Sequence, residues 1–149
     1  MAIFRLRRDV AVPVAEAWRR MTDWPRHGTA VPLTRVTVGT PPPTAPGTRV
    51  TARTGVGRLG FADPMEVTVW EPPEPDRPDR PARCRLEKRG AFVLGWAEIA
   101  VTAHGTGARV EWHEELRARG LPRWADPLLA ASGRLVFGRA ARILLRAGG

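Results

Sequence analysis

Arg139 is the residue whose setting asks for chemistry. In the C-terminal run Asp126–Arg146, Leu128, Leu129, Leu135, Val136, Ala140 and Ile143 fall on one arc at about 100° per residue, and Arg139 falls among them. A guanidinium held among apolar side chains needs a carboxylate, because an unpaired buried charge is strongly destabilising. Two alternating stretches offer one. In 108–116, Glu114 shares a face with Val110, Trp112 and Leu116, while Glu111, His113 and Glu115 take the other. In 92–103, Glu98 shares a face with Leu94 and Trp96. An Arg139 pair with Glu114 or Glu98 would orient a polar group on a ligand. The competing reading puts Arg139 at the edge of the arc, with its head in water.

The other reactive side chains form no recognisable catalytic set. His27, His104 and His113 lack metal-ligand spacing, so no metal site is expected. His104 falls in a turn and His113 on the outward set. His27 follows the first helix and, titrating near neutrality, is a candidate acid or base; a merely structural histidine is the plainer reading. Ser132, the only serine, has no nucleophile elbow around it. Cys84 stands alone, which rules out a disulfide framework and a thiolate cluster. Gly55-Val56-Gly57-Arg58-Leu59-Gly60 spells G-x-G-x-x-G. The dinucleotide motif needs a helix next, and the following element reads as a strand, so a bent strand or bulge is expected there instead. No cofactor is implied, and the catalytic residues stay unassigned. Trp96, beside Gly95, is the tryptophan expected to face a ligand.

Composition narrows the function classes. The chain has 149 residues and a formal net charge of +9. That charge invites a nucleic-acid reading. However, Lys88 is the only lysine, Asn, Gln and Tyr are absent, and the arginines are scattered, as in a chain biased toward Arg throughout. No groove-reading motif is present, so no specific nucleic-acid partner is expected. No apolar run is long enough to span a bilayer. The N-terminal stretch reads as a strand, not a leader. The expectation is a cytoplasmic protein of one domain over 1–149, as monomer or homodimer.

The elements that must position these residues follow from periodicity and turn chemistry. Ala2–Val10 alternates Phe4, Leu6 and Val10 against Arg5, Arg7 and Asp9. Pro13 opens a short helix that ends before Trp24-Pro25, and a second short helix or turn runs through 26–30. Strands are expected at 33–38, 48–54, 65–70, Ala82–Lys88, 92–103 and 108–116. The Pro-rich stretches 39–47 and 72–81 interrupt them. Asp126 and Pro127 then open the long helix as its cap and first residue. Successive strands with short connections form an antiparallel meander, and the last helix is the element long enough to cover it. The class is α+β, in the order β-α-α-β6-α.

This order resembles the START/Bet v 1-like superfamily, called SRPBCC in bacteria, which includes polyketide cyclase/dehydrase-like proteins. The resemblance rests on three pieces: 10–18 (VAVPVAEAW) with Thr22-Asp23-Trp24, 69–73 (VWEPP), and 107–112 (GARVEW) with Glu114-Glu115-Leu116. It implies a helix-grip fold, a curved antiparallel sheet wrapped around the C-terminal helix with a cavity between. It also implies an apolar small-molecule ligand, lipid- or polyketide-like, and no family-wide catalytic motif. On that basis Met65, Leu86, Leu94, Trp96, Trp112 and Leu135 are expected to line the pocket, with Arg139 and Glu114 or Glu98 as anchors. Three functions follow: a binding protein, an aromatase/cyclase working in the same pocket, or an interaction module without a ligand.

Overall fold

The computed structural model describes residues 2–146. Among them seven strands form one antiparallel sheet in the order β1-β7-β6-β5-β4-β3-β2. The strands are β1 (Ala2–Val10), β2 (Thr34–Val38), β3 (Arg49–Val56), β4 (Leu59–Glu71), β5 (Ala82–Lys88), β6 (Val93–His104) and β7 (Gly107–Ala118). Two short helices, α1 (Val14–Met21) and α2 (Trp24–Ala30), link β1 to β2, and α3 (Asp126–Arg146) follows β7. The sheet curves, and its concave face packs on the helices. This is the helix-grip architecture.

Alternation decides which side chains enter the core. Ala82, Cys84, Leu86 and Lys88 of β5 are buried, as are Ala97, Ile99 and Val101 of β6 and Val110, Trp112 and Glu114 of β7. Those three strands therefore offer alternate residues to one interior. Arg20 of α1 closes one end of the core: it pairs with Glu16 at 2.8 Å and donates to the Leu145 carbonyl of α3. The loop 39–48 lies against β4, where the Gly47 N–H donates to the Val67 carbonyl at 2.7 Å.

Two local expectations are corrected. The G-x-G-x-x-G stretch is a β-hairpin, with Val56 opposite Leu59 and Gly57-Arg58 at the turn; β4 thus starts at Leu59, well before the alternation becomes visible at Met65. Asp126 is the first residue of α3 rather than the residue before it. It already has helical backbone angles and follows a 3₁₀ turn over Arg123–Ala125.

The phase of α3 also differs from its apolar arc. The buried residues are Ala130, Gly133, Gly138, Ala140, Ala141, Leu144 and Leu145, whereas Leu128 and Leu135 are exposed. From Ala130 to Ala141 the contact face is built from small residues, because β1 approaches closely. A Cβ on Gly133 would stand 2.7 Å from the Phe4 ring. Hydrophobicity alone points to the leucines; close approach selects glycine and alanine instead.

Candidate functional site

The interior is not filled. Between the sheet and helices α2 and α3 lies a cavity of about 350 Å³. Its deep wall is made by Trp24, Val50, Leu86, Ala97, Ile99 and Trp112, all buried. Its exposed lining residues, Phe61, Phe92, Arg117 and Leu121, sit together where β4 begins, β5 meets β6 and β7 ends. That end is the mouth. Ala97, a small residue of β6, is part of the wall, and Gly95 lets β6 pass close to β7. Gly95 has φ +126°, and a Cβ there would collide with the Glu115 carbonyl at 1.9 Å.

Three charged side chains from three strands meet on this apolar wall. Lys88 Nζ of β5 is 2.5 Å from Asp63 Oδ2 of β4 and 3.2 Å from Glu114 Oε1 of β7. It also approaches Met65 Sδ at 3.8 Å. The Trp112 indole N–H donates to Glu114 Oε2 at 3.0 Å. The Lys88 and Glu114 side chains are 2% and 3% exposed, so this is a buried cluster rather than a surface bridge. Asp63 Oδ1, also buried, has no hydrogen-bond partner among the described residues.

The electrostatics follow from one cation facing two carboxylates. Burial is the largest influence on Lys88 and favours the neutral amine, but Glu114 and Asp63 together outweigh it, so the ammonium is held charged above the ordinary lysine range. Burial likewise dominates Glu114 and pushes its carboxyl up, opposed by Lys88 and reinforced by the charge of Asp63. Burial thus shifts Glu114 toward its protonated form.

His27 lines the opposite part of the cavity. Its Nε2 is 2.8 Å from the Met21 carbonyl. A carbonyl only accepts, so Nε2 carries the hydrogen and Nδ1 keeps its lone pair. Burial pushes the imidazole below its ordinary pKa, against the raising effect of the Met21 bond. The ring lies 5.5 Å from Trp24 and 5.7 Å from Trp112. Trp112 thus neighbours the histidine through its ring and the charged cluster through its N–H.

The structure sorts the residues expected at the site. Met65, Leu86, Trp112 and Glu114 line the cavity. Leu94, Trp96 and Glu98 do not: β6 turns its odd-numbered residues inward, and these three lie on the convex face. There Trp96 stacks under Arg85 at 4.3 Å and meets His113 edge-on at 4.7 Å, and Glu98 pairs with Arg83 and Arg85. Bulky Leu94 and Trp96 made the even set look like the core face, but the concave side of a cavity-bearing sheet keeps the small residues. Leu135 and Arg139 are exposed on α3, so the expected pairing of Arg139 with Glu114 or Glu98 is replaced by Lys88–Glu114 within the cavity and Arg85–Glu98 outside it. Sequence reasoning missed Lys88, Asp63 and Phe137. Lys88 continues the Ala82, Cys84, Leu86 alternation, and Asp63 precedes Met65 and Val67 in the same phase, so both carried a readable signal. Phe137 became an inward residue only once the phase of α3 was known; it lies 5.1 Å from Trp112 and 5.4 Å from Phe4.

Comparison with known proteins agrees with this architecture. Residues 1–146 match the family described as polyketide cyclase / dehydrase and lipid transport. The fold is similar to that of TTHA0849 from Thermus thermophilus, with TM-score 0.71, 13% identity and 99% of each chain covered. It is also similar to Ara h 8.0201, with TM-score 0.62, 11% identity, 96% of this chain and 97% of that one. A third similar structure is the di-domain ARO/CYC BexL from the BE-7585A biosynthetic pathway, with TM-score 0.65, 13% identity, 97% of this chain and 45% of that one. No curated protein sequence matches the chain. Among the described residues no helix is long and apolar enough to cross a membrane.

Proposed function

The chain belongs to the polyketide cyclase / dehydrase and lipid transport family, and we propose that it binds a small, largely apolar molecule whose polar end is seated at Asp63, Lys88 and Glu114. One observation carries this reading: a cavity of about 350 Å³ with an apolar wall is interrupted by a buried ion cluster from three separate strands. Apolar walls supply affinity by removing ligand surface from water, and a few converging polar groups set orientation. The Lys88 ammonium suits a carbonyl or other oxygen acceptor on the ligand. Asp63 Oδ1, which lacks a partner among the described residues, suits a ligand hydroxyl. The protein acts in the cytoplasm, as a monomer or homodimer, without a cofactor. Native mass spectrometry of the purified protein tests for a co-purified ligand, and titration with the fluorescent apolar probe anilinonaphthalene sulfonate tests the pocket. Ala52→Trp, which adds an indole to the cavity wall, should abolish the probe signal. Equal probe binding in that variant sinks the reading.

A second reading, a cyclase in the same cavity, is favoured by His27. Its neutral ring keeps the Nδ1 lone pair and can take a proton from a carbon flanked by two carbonyls. The resulting enolate carbon attacks another carbonyl of the same chain, the C–C bond forms as the C=O π bond opens, the Lys88 ammonium stabilises the developing oxyanion, and the proton taken by His27 is returned to that oxygen. The cavity contributes by holding the two carbons in register. Incubation with a poly-β-ketone thioester separates the readings. If the protein is a cyclase, His27→Gln loses cyclised product while still binding the chain; if wild type forms no product, the binding role stands alone.

A further inference from the structure

Most of the exposed apolar side chains gather in one group, with Ile3, Leu33, Val38 and Leu135 exposed outside it. Leu59 is 82% exposed and Trp124 75%, and Val56, Phe92, Leu121 and Leu128 are also in water. All six belong to the same end of the molecule, the end at which the cavity opens. The register shows why: Val56 pairs with Leu59 at the β3–β4 turn, β5 ends as β6 begins, and Val93 lies opposite Ala118 at the end of β7. The turns are tied together. The Phe61 and Phe92 rings are 5.5 Å apart, and the Arg119 N–H donates to the Phe92 carbonyl at 2.8 Å.

Charge is polarised along the same axis. The three mouth segments, 53–62, 89–93 and 117–128, contain Arg53, Arg58, Arg89, Arg117, Arg119 and Arg123 against one acid, Asp126. Of these, only Arg89 reaches a carboxylate within ion-pair distance among the described residues, at Glu66. The opposite end carries the connection 71–80, where four acids, Glu71, Glu74, Asp76 and Asp79, outnumber Arg77 and Arg80. A set of apolar tips rimmed by guanidiniums is the composition of a surface that meets anionic lipid. Leucine and tryptophan enter the headgroup boundary, while arginine stems lie along apolar surface and their heads reach phosphate.

We propose that the cavity mouth docks on an anionic bilayer surface, with the β3–β4 turn and the β7–α3 connection entering the interface. A protein partner fits less well, because Leu59 and Trp124 stand on separate segments and would each require a matching pocket. Docking in this pose turns the cavity opening toward the lipid, so an apolar ligand passes between protein and bilayer without crossing water. The docking stands apart from the identity of any ligand.

The test is sedimentation with phosphatidylcholine vesicles, with and without phosphatidylglycerol. Wild type should sediment with the anionic vesicles and weakly with the neutral ones. The double variants Leu59→Glu/Trp124→Glu and Arg58→Glu/Arg123→Glu should each weaken binding at least about tenfold. All four positions are exposed, and unchanged anilinonaphthalene sulfonate binding in the cavity will report an intact fold. Arg77→Glu/Arg80→Glu, which makes the same charge change as the arginine pair at the far end, should leave vesicle binding as it was. Absence of wild-type binding to anionic vesicles overturns the proposal. So does equal weakening by the far-end variant, or loss of binding to an acidic protein with vesicle binding unaffected in the mouth variants.

Discussion

Strands β4 to β7 carry two ion clusters, one on each face of the sheet, and the two behave as opposites. On the concave side Lys88 meets Asp63 and Glu114, with the lysine side chain 2% exposed. On the convex side Arg85 meets Glu87 at 2.7 Å and Glu98 at 3.5 Å under the Trp96 ring, with the arginine side chain 30% exposed. The residue types are similar and the positions neighbours in sequence: Arg85 beside Leu86, Glu98 beside Ala97, His113 beside Glu114. One step along a strand moves a side chain from solvent to cavity. Inside, the charges are desolvated and each depends on its partners. Outside, water and salt screen them, and the cluster contributes little.

This contrast can be broken at its strongest point first. Lys88→Met leaves Asp63 and Glu114 facing each other without a cation, and should lower unfolding free energy by about 3–5 kcal/mol. Urea denaturation measures it, and a loss below about 1 kcal/mol would show that the inner cluster is as screened as a surface bridge.

The next effect depends on pH. Burial depresses the His27 pKa, so the folded state binds fewer protons than the unfolded one below the ordinary value of 6.5. The stability supplied by the neutral ring is present above that value and is lost as pH falls from it toward the depressed folded pKa. His113 shifts in the same direction, mainly through burial, and Glu114 in the opposite one, so the comparison must be with His27→Gln. Wild type should lose Tm relative to that variant on acidification through this window. Parallel Tm curves would mean that the ring is solvated.

Smaller changes sharpen the outer side of the comparison. Glu98→Gln should cost no more than about 1 kcal/mol, an effect that shrinks further in high salt. A larger, salt-independent loss in chemical denaturation would place Glu98 among buried groups. Arg139→Ala should be nearly silent, within about 0.5 kcal/mol in stability, and should leave cavity probe binding unchanged. Loss of probe binding would return Arg139 to the site.

Much of the architecture was legible because local patterns repeat over many residues. The long β strands alternate, prolines mark the breaks, and one long helix closes the chain. The site was legible where the pattern stayed in phase, as at Trp112 and Glu114 on β7. It was misread where size competed with polarity. On β6, Trp96 and Leu94 look like core residues, yet their strand places Gly95, Ala97 and Ile99 inward. On α3, Leu128 and Leu135 look like the buried stripe, yet Gly133 must face Phe4.

By itself the sequence determined the element order, the antiparallel meander and the rejection of the dinucleotide motif, because these depend on neighbours along the chain. Tertiary structure alone decided which face of β6 and α3 is inside, and that Asp63, Lys88 and Glu114 meet. Those outcomes depend on register between strands distant in sequence and on how closely a helix can approach a sheet. Arg139 and Lys88 exchange roles for that reason. The arginine on an apolar arc reaches solvent, and the single lysine, easily passed over in the composition, is the cation buried in the cavity wall.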